Sequence, residues 1–187
     1  MKIYNDRRSM LVEVPLHAKI AELGTYKGVF AEEIYQICQP SELVLIDLFP
    51  SYPVQSGNAD GNELEYVHGD ELYAVCLQKF MGNEAIIVKR DFTSALLNYP
   101  DNYFDMVYID ADHSYEGVKH DLMLAYQKVK PNGLIMGHDY EFNLEKTSNI
   151  HFFGVKQAVD EFCQVNSMQL DMKAMDGCVS FGIRVKK

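Results

Sequence analysis

A chain of 187 residues has the length of one domain and is long enough to bury a core without disulfide or metal staples. Its 27 acidic side chains against 17 basic ones leave a formal net charge of −10, which repels a phosphate backbone and makes nucleic acid a poor partner on this reading. With no run of about 18 apolar residues and no basic segment followed by an apolar one, neither membrane insertion nor secretion is encoded, and a soluble, cytoplasmic protein is expected.

Short apolar runs alternate with amphipathic stretches along the chain. The first strand is placed at residues 18–23 (A-K-I-A-E-L), followed by a turn from Gly24 to Gly28 and a helix from Val29 to Cys38. The second strand, V-L-I-D, ends at Asp47. Residues 49–67 hold Pro50, Pro53, Gly57 and Gly61 among Ser, Asn and Asp, and read as a loop long enough to serve as a lid. A helix over 69–81 leads to the strand E-A-I-I-V-K, with Asp91 just beyond it, and a short helix over 93–98 follows. Next come the strand F-D-M-V-Y-I-D, ending at Asp110, and a helix over 116–130 that Pro131, Asn132 and Gly133 break. L-I-M-G is then a strand finishing at His138 and Asp139, and the polar segment 140–151 is a candidate flap. A helix over 153–164 precedes strands at 168–173 and 178–185, joined by a turn at Asp176 and Gly177; so short a link makes this pair antiparallel. The order predicts an α/β fold: one doubly wound, Rossmann-like, seven-stranded, mostly parallel sheet ending in an antiparallel hairpin.

Five successive strands finish at or just before an acid, namely Glu22, Asp47, Asp91, Asp110 and Asp139, and in such a sheet ligands bind outside the carboxyl ends of the strands. In E-L-G-T-Y-K-G, glycines at the strand-to-helix turn let a ligand approach the backbone, and the following helix amides carry partial positive charge. A dinucleotide site prefers G-x-G-x-x-G, whereas an acid here takes the first glycine's place and suits a cationic ligand better than a pyrophosphate. Asp47 stands where a carboxylate accepts the hydroxyls of a ribose. The stretch V-Y-I-D-A-D-H-S-Y-E gathers Asp110, Asp112, His113 and Tyr115, and G-H-D-Y ends the next strand. If those two strands lie about 4.8 Å apart, Asp110 and Asp139 could share a divalent cation with His138 or His113 nearby, a mixed donor set that favours manganese, iron or zinc over magnesium. Asp112 reads equally well as a helix-cap acid. His17, His68, His120 and His151 show no partner pattern, and Cys38, Cys76, Cys163 and Cys178, each in an apolar stretch with no C-x-x-C pair, read as buried reduced thiols.

On these residues, and on the sequence P-N-G-L-I-M-G-H-D-Y that follows, the chain from Lys19 to Tyr140 resembles the class I S-adenosylmethionine-dependent methyltransferases, in their small-molecule O-methyltransferase branch (methyltransferase domain 24 type). The resemblance implies that Glu22, Gly24 and Gly28 surround the cofactor's methionine part, that Asp47 holds the ribose, and that Thr25, Tyr26 and Leu48 also bind the cofactor. It places Asp91 and Phe92 at the adenine and Asp110 at the methionine group or a metal. Asp110, His113 and His138 are the catalytic candidates, since an unperturbed histidine accepts a proton near neutrality; Asp110, His138 and Asp139 are the metal candidates. Metal-dependent relatives carry paired acids where this chain has His138 and Asp139. The expected partner is a small-molecule acceptor, with no nucleic acid and no membrane, and a homo-oligomer is allowed. A nicotinamide-dependent oxidoreductase and a non-catalytic nucleoside-binding module stand as rivals.

Overall fold

The computed structural model describes residues 1–55, 64–142 and 154–187. Near the amino terminus, β1 (Lys2–Tyr4) and the short α1 (Arg7–Met10) precede a single 3-10 turn. Then come β2 (Lys19–Leu23), α2 (Val29–Cys38) and β3 (Glu42–Asp47). A small antiparallel ribbon of β4 (Tyr52–Gln55) and β5 (Leu64–Val67) leads into α3 (Gly69–Lys79) and β6 (Ile86–Arg90). After a 3-10 turn at Thr93–Asn98 follow β7 (Phe104–Ile109), α4 (Tyr115–Lys128) and β8 (Val129–Phe142). The chain closes with α5 (Val155–Val165), β9 (Met172–Asp176) and β10 (Cys178–Arg184).

The main sheet has the order β1-β9-β10-β8-β7-β2-β3-β6. β6, β3, β2, β7 and β8 are parallel neighbours, and β10 runs antiparallel between β8 and β9. Strand order reverses between β2 and β7, so their carboxyl tips and the turns beyond them flank a crevice.

Alternation along the strands supplies both faces of this sheet. Ala21, Val44, Ile46, Val107, Ile109 and Ile135 point into one core with Val118, Leu122, Ala125 and Phe162 from α4 and α5. Ile20, Leu43, Leu45, Met106, Tyr108 and Met136 point into the other, against Met10, Phe30, Ile34 and Leu72 from α1, α2 and α3. On α5 the buried residues Val155, Ala158, Val159, Phe162 and Cys163 recur at helical spacing, which is what docks that helix on the sheet. Burying one such aliphatic side chain contributes about 1.5–3 kcal/mol.

Four expectations are corrected. The main sheet has eight strands rather than seven, because β1 adds in parallel to β9, with Lys2 opposite Met172 and Tyr4 opposite Ala174; three residues are too short for periodicity to register. Segment 49–67 is not all loop: Tyr52 to Gln55 pairs with Leu64 to Val67, while 56–63, which hold Gly57 and Gly61, lie outside the described residues. Pro131 to Gly133 do not interrupt the chain between helix and strand; they are accommodated as an irregularity inside β8, between the pairings Phe104 with Val129 and Met106 with Leu134. The last hairpin is tighter than expected, since β9 runs on to Asp176 and Gly177 alone, at φ 101°, turns the chain. Of the flap 140–151, residues 140–142 belong to β8, and the rest, with His151, lies outside the described residues.

Candidate functional site

The tip of β2 carries Glu22 and the turn after it. Gly24 has φ +84°, and a Cβ there would sit 2.0 Å from the carbonyl oxygen of Asp110, so only glycine lets this turn cross the end of β7. Gly28, at φ 69°, opens α2 with no side-chain cap, which leaves the first amides of that helix for another acceptor.

Asp47 holds the turn in place. Its Oδ2 accepts the Thr25 and Tyr26 amides at 2.8 and 2.7 Å, and its Oδ1 accepts the Phe49 amide at 2.5 Å. Three amides on a carboxylate with about four lone-pair sites leave one acceptor position for a ligand hydroxyl. The expected ribose acid is therefore first of all the brace of the glycine turn.

Glu22 is 1% exposed, and its Oε2 has no hydrogen-bond partner. Burial, helped by the nearby Asp110 charge, pushes its carboxyl up to about 8. An acid whose folded pKa is raised weakens the fold as pH climbs from its unfolded value of 4.5 through 8. Glu22→Gln is therefore expected to raise the melting temperature at pH 8.5 by about 3–6 °C, and by much less at pH 5, in paired thermal scans.

A cleft of about 780 Å³ opens at this edge. Gly24 and Tyr26 line it from the glycine turn, Asp47 and Leu48 from the end of β3, Asp91 to Ser94 from beyond β6, and Asp110 to Asp112 from beyond β7. Of the residues expected at the cofactor, Gly24, Tyr26, Asp47, Leu48, Asp91, Phe92 and Asp110 share this wall, while Glu22, Thr25 and Gly28 are buried behind it. Phe92 stands 64% exposed at the mouth, and its amide donates to Asp91 Oδ1 at 2.8 Å. Asp112 accepts the Ser114 amide and hydroxyl, each at 2.9 Å, and Ser114 in turn caps α4 by accepting from the Gly117 amide; this acid serves as a cap brace as well as a wall.

Beyond Asp110 the polar groups continue. His113 Nε2 lies 3.3 Å from Asp110 Oδ1 and 3.0 Å from Asp139 Oδ2. Hydrogen bonds that the ring donates to the two carboxylates outweigh burial and push the imidazole up to about 9, so it is an imidazolium at neutral pH. His113 stays a candidate base, one that must first give up this proton. At Asp139 burial favours the neutral acid, but the His113 bond and the neighbouring His138 win and hold the carboxyl below its usual range. His138 turns the other way, with Nδ1 2.8 Å from Ser180 Oγ and Nε2 3.7 Å from Asp139 Oδ1.

The metal set expected from the sequence is split. Asp110, His113 and Asp139 bring donors within 4.8 Å of one another, and so do His138, Asp139 and Cys178, but Asp110, His138 and Asp139 together do not, among the described residues. Asp110 and Asp139 do come together as neighbouring strand tips should, but His113 places its nitrogen against both carboxylates, where a shared cation would need to sit. Asp110, His138 and Asp139 are therefore not gathered around one point as the sequence reading expected, among the described residues.

Several contributors lie outside the residues that the sequence singled out for the site. Arg7, on α1, reaches Asp110 Oδ2 at 3.4 Å while its guanidinium lies over the Phe30 ring, a contact that joins positions far apart in the chain. Tyr52 enters the cleft from the β4–β5 ribbon. His120 and Asp121 line it one helical turn beyond Glu116 and Gly117, with Asp121 2% exposed and its Oδ2 unpartnered; the spacing of Glu116, Gly117, His120 and Asp121 on one helix face is the signal that could have found them.

Known proteins can be set beside this geometry. A family model described as a methyltransferase domain matches residues 21–140. No curated protein sequence matches the chain significantly. Solved structures share the fold at low identity. A putative rRNA-methylase from Clostridium thermocellum superposes with TM-score 0.67 at 12% identity, covering 100% of this chain and 99% of its own. The N-methyltransferase NodS from Bradyrhizobium japonicum WM9 gives 0.64 at 13% identity, covering 97% and 95%. An O-methyltransferase from Bacillus cereus, in complex with SAH, gives 0.60 at 14% identity, covering 94% and 77%.

Proposed function

The chain belongs to the methyltransferase domain family, as a class I, S-adenosylmethionine-dependent methyltransferase, and on that premise we propose that it moves a methyl group to a hydroxyl oxygen of a small molecule. The observation that carries the reading is the convergence of Asp47, Asp91 and Asp110 with Gly24 on one cleft, an anionic cradle for a sulfonium nucleoside. Within it Gly24, Thr25, Tyr26 and Gly28 shape the turn around the methionine part, the remaining acceptor position of Asp47 takes a ribose hydroxyl beside Leu48, and Asp91 with Phe92 borders the adenine.

The chemistry is an in-line displacement. The S–CH₃ bond breaks, the O–CH₃ bond forms, S-adenosylhomocysteine leaves, and the acceptor's hydroxyl proton must go to the protein. Asp110, which lines the cleft, and Asp139 hold the His113 ring behind that wall, and in its neutral form that ring takes the proton. His138, oriented by Ser180, supports Asp139 from behind. Since His113 gives up its resting proton near pH 9, turnover rises with pH toward that value.

The acidic surface favours a small acceptor over RNA, the acceptor that the name of the Clostridium thermocellum neighbour suggests. Incubation with methyl-labelled S-adenosylmethionine and, separately, a pool of hydroxylated small molecules and total rRNA discriminates the two. Label is expected in the small-molecule fraction, and label in the RNA alone overturns the assignment.

A further inference from the structure

Beside the Asp139–His113 contact, the antiparallel pairing of β10 with β8 is broken at one place. Val179 pairs with Glu141 and Phe181 with Gly137, so Ser180 alone spans His138, Asp139 and Tyr140. Such a bulge re-aims side chains that a regular strand would send to opposite faces. Asp139 takes up the distortion with φ 58°, a conformation an aspartate adopts only at a cost of about 1–2 kcal/mol. The result is that two consecutive residues, His138 and Asp139, turn toward each other, with Nε2 and Oδ1 3.7 Å apart. Cys178, on the neighbouring strand, brings its sulfur within 4.8 Å of both.

We propose that His138 Nε2, Asp139 Oδ1 and Cys178 Sγ form a three-ligand site for Zn(II), in which Cys178 replaces Asp110 of the set that the sequence suggested. Nitrogen, oxygen and sulfur together select zinc over magnesium or calcium, which prefer oxygen alone. Zinc bond lengths of about 2.0–2.3 Å put ligand atoms roughly 3.5 Å apart, so the His138–Asp139 separation of 3.7 Å already suits the ion, and the Cys178 thiol is held beside it by a hydrogen bond with Asp139. The supporting shell is built as well. Ser180, fully buried, holds His138 Nδ1 at 2.8 Å and leaves Nε2 as the ligand nitrogen, while the second Asp139 oxygen is fixed 3.0 Å from His113. On binding, Cys178 gives its thiol proton to solvent and ligates as the thiolate. Three protein ligands leave the fourth tetrahedral position to water or a small acid.

The other cysteines do not compete. Cys38, Cys76 and Cys163 are buried, and burial pushes their thiols up to about 11, 12 and 11, whereas Cys178 is half-buried. The site does not depend on the identity of the methyl acceptor, so it is tested on the resting protein by titration with Co(II), a spectroscopic stand-in for Zn(II). A sulfur-to-cobalt charge-transfer band in the near ultraviolet is expected to saturate at about one equivalent and to be displaced by Zn(II). The band should vanish in Cys178→Ser, persist in Cys163→Ser, and require at least about tenfold more Co(II) in His138→Gln, which keeps the thiol and serves if the serine variant does not fold. No thiolate band in the wild-type protein, or one that survives Cys178→Ser undiminished, overturns the proposal. Thermal stabilisation by Mg(II) without any by Zn(II) overturns it too, since that is the signature of an oxygen site.

Discussion

Asp47→Ala is expected to weaken S-adenosylhomocysteine binding at least about a hundredfold and to destabilise the fold by about 3 kcal/mol. Both effects have one origin. The carboxylate accepts the Thr25, Tyr26 and Phe49 amides at once, and each hydrogen bond to a charged group contributes about 1.5–3 kcal/mol before non-additivity reduces the sum. Without it the glycine turn loses its brace while its three amides lose their acceptor, and the remaining acceptor position for a ribose hydroxyl goes with it. Asp47→Asn keeps one carbonyl acceptor and is expected to fall between the two. Calorimetric titration and urea unfolding measure the pair of effects, and an alanine variant that binds within threefold of wild type would show that Asp47 braces the fold without serving the ligand.

His113→Gln is expected to change how stability depends on pH. The folded imidazole titrates near 9, against 6.5 in the unfolded chain, because Asp110 and Asp139 both face it. A raised histidine pKa contributes stability that is complete below about 6.5 and is lost as pH rises through about 9. The side chain is 34% exposed, so solvent screening reduces the contribution to roughly 1–2 kcal/mol. Urea unfolding at pH 6 should therefore separate wild type from His113→Gln by about that amount, and at pH 9.5 the two should nearly coincide. Turnover in the variant should lose its rise toward pH 9. Parallel stability curves across that range would mean that the two carboxylates do not hold the imidazolium.

The legible part of this molecule is the part written in local pattern. Apolar residues at Ile20–Ala21, Leu43–Ile46 and Met106–Ile109 alternate between two cores because each strand is covered on both faces, and that alternation between helices is what periodicity detects. The acids at the strand tips were readable for the same reason: once the strands are placed, parallel pairing brings their carboxyl ends together. What pattern does not carry is contact between distant segments. Arg7 reaches Asp110 only because α1, packed on β9, lays its guanidinium over Phe30 of α2, and β1 exists only because β9 offers it an edge. The bulge at Ser180 has no sequence mark either, since Ser, His and Asp are ordinary strand-end residues until pairing shows one residue facing three. Titration was misread at His113 because its environment comes from two strand tips, one of them 26 positions away, and those neighbours move its pKa out of the neutral range.

The most direct test of the account is a thermal-shift titration with S-adenosylhomocysteine run beside NADH. At a hundred times its dissociation constant a ligand that binds only the native state adds about 2.7 kcal/mol, which for a chain of this size is a rise of roughly 5–10 °C. The account predicts that rise with S-adenosylhomocysteine and none with NADH. A rise with NADH alone, or none with either, would contradict the reading of the strand-tip cleft as a sulfonium-nucleoside site.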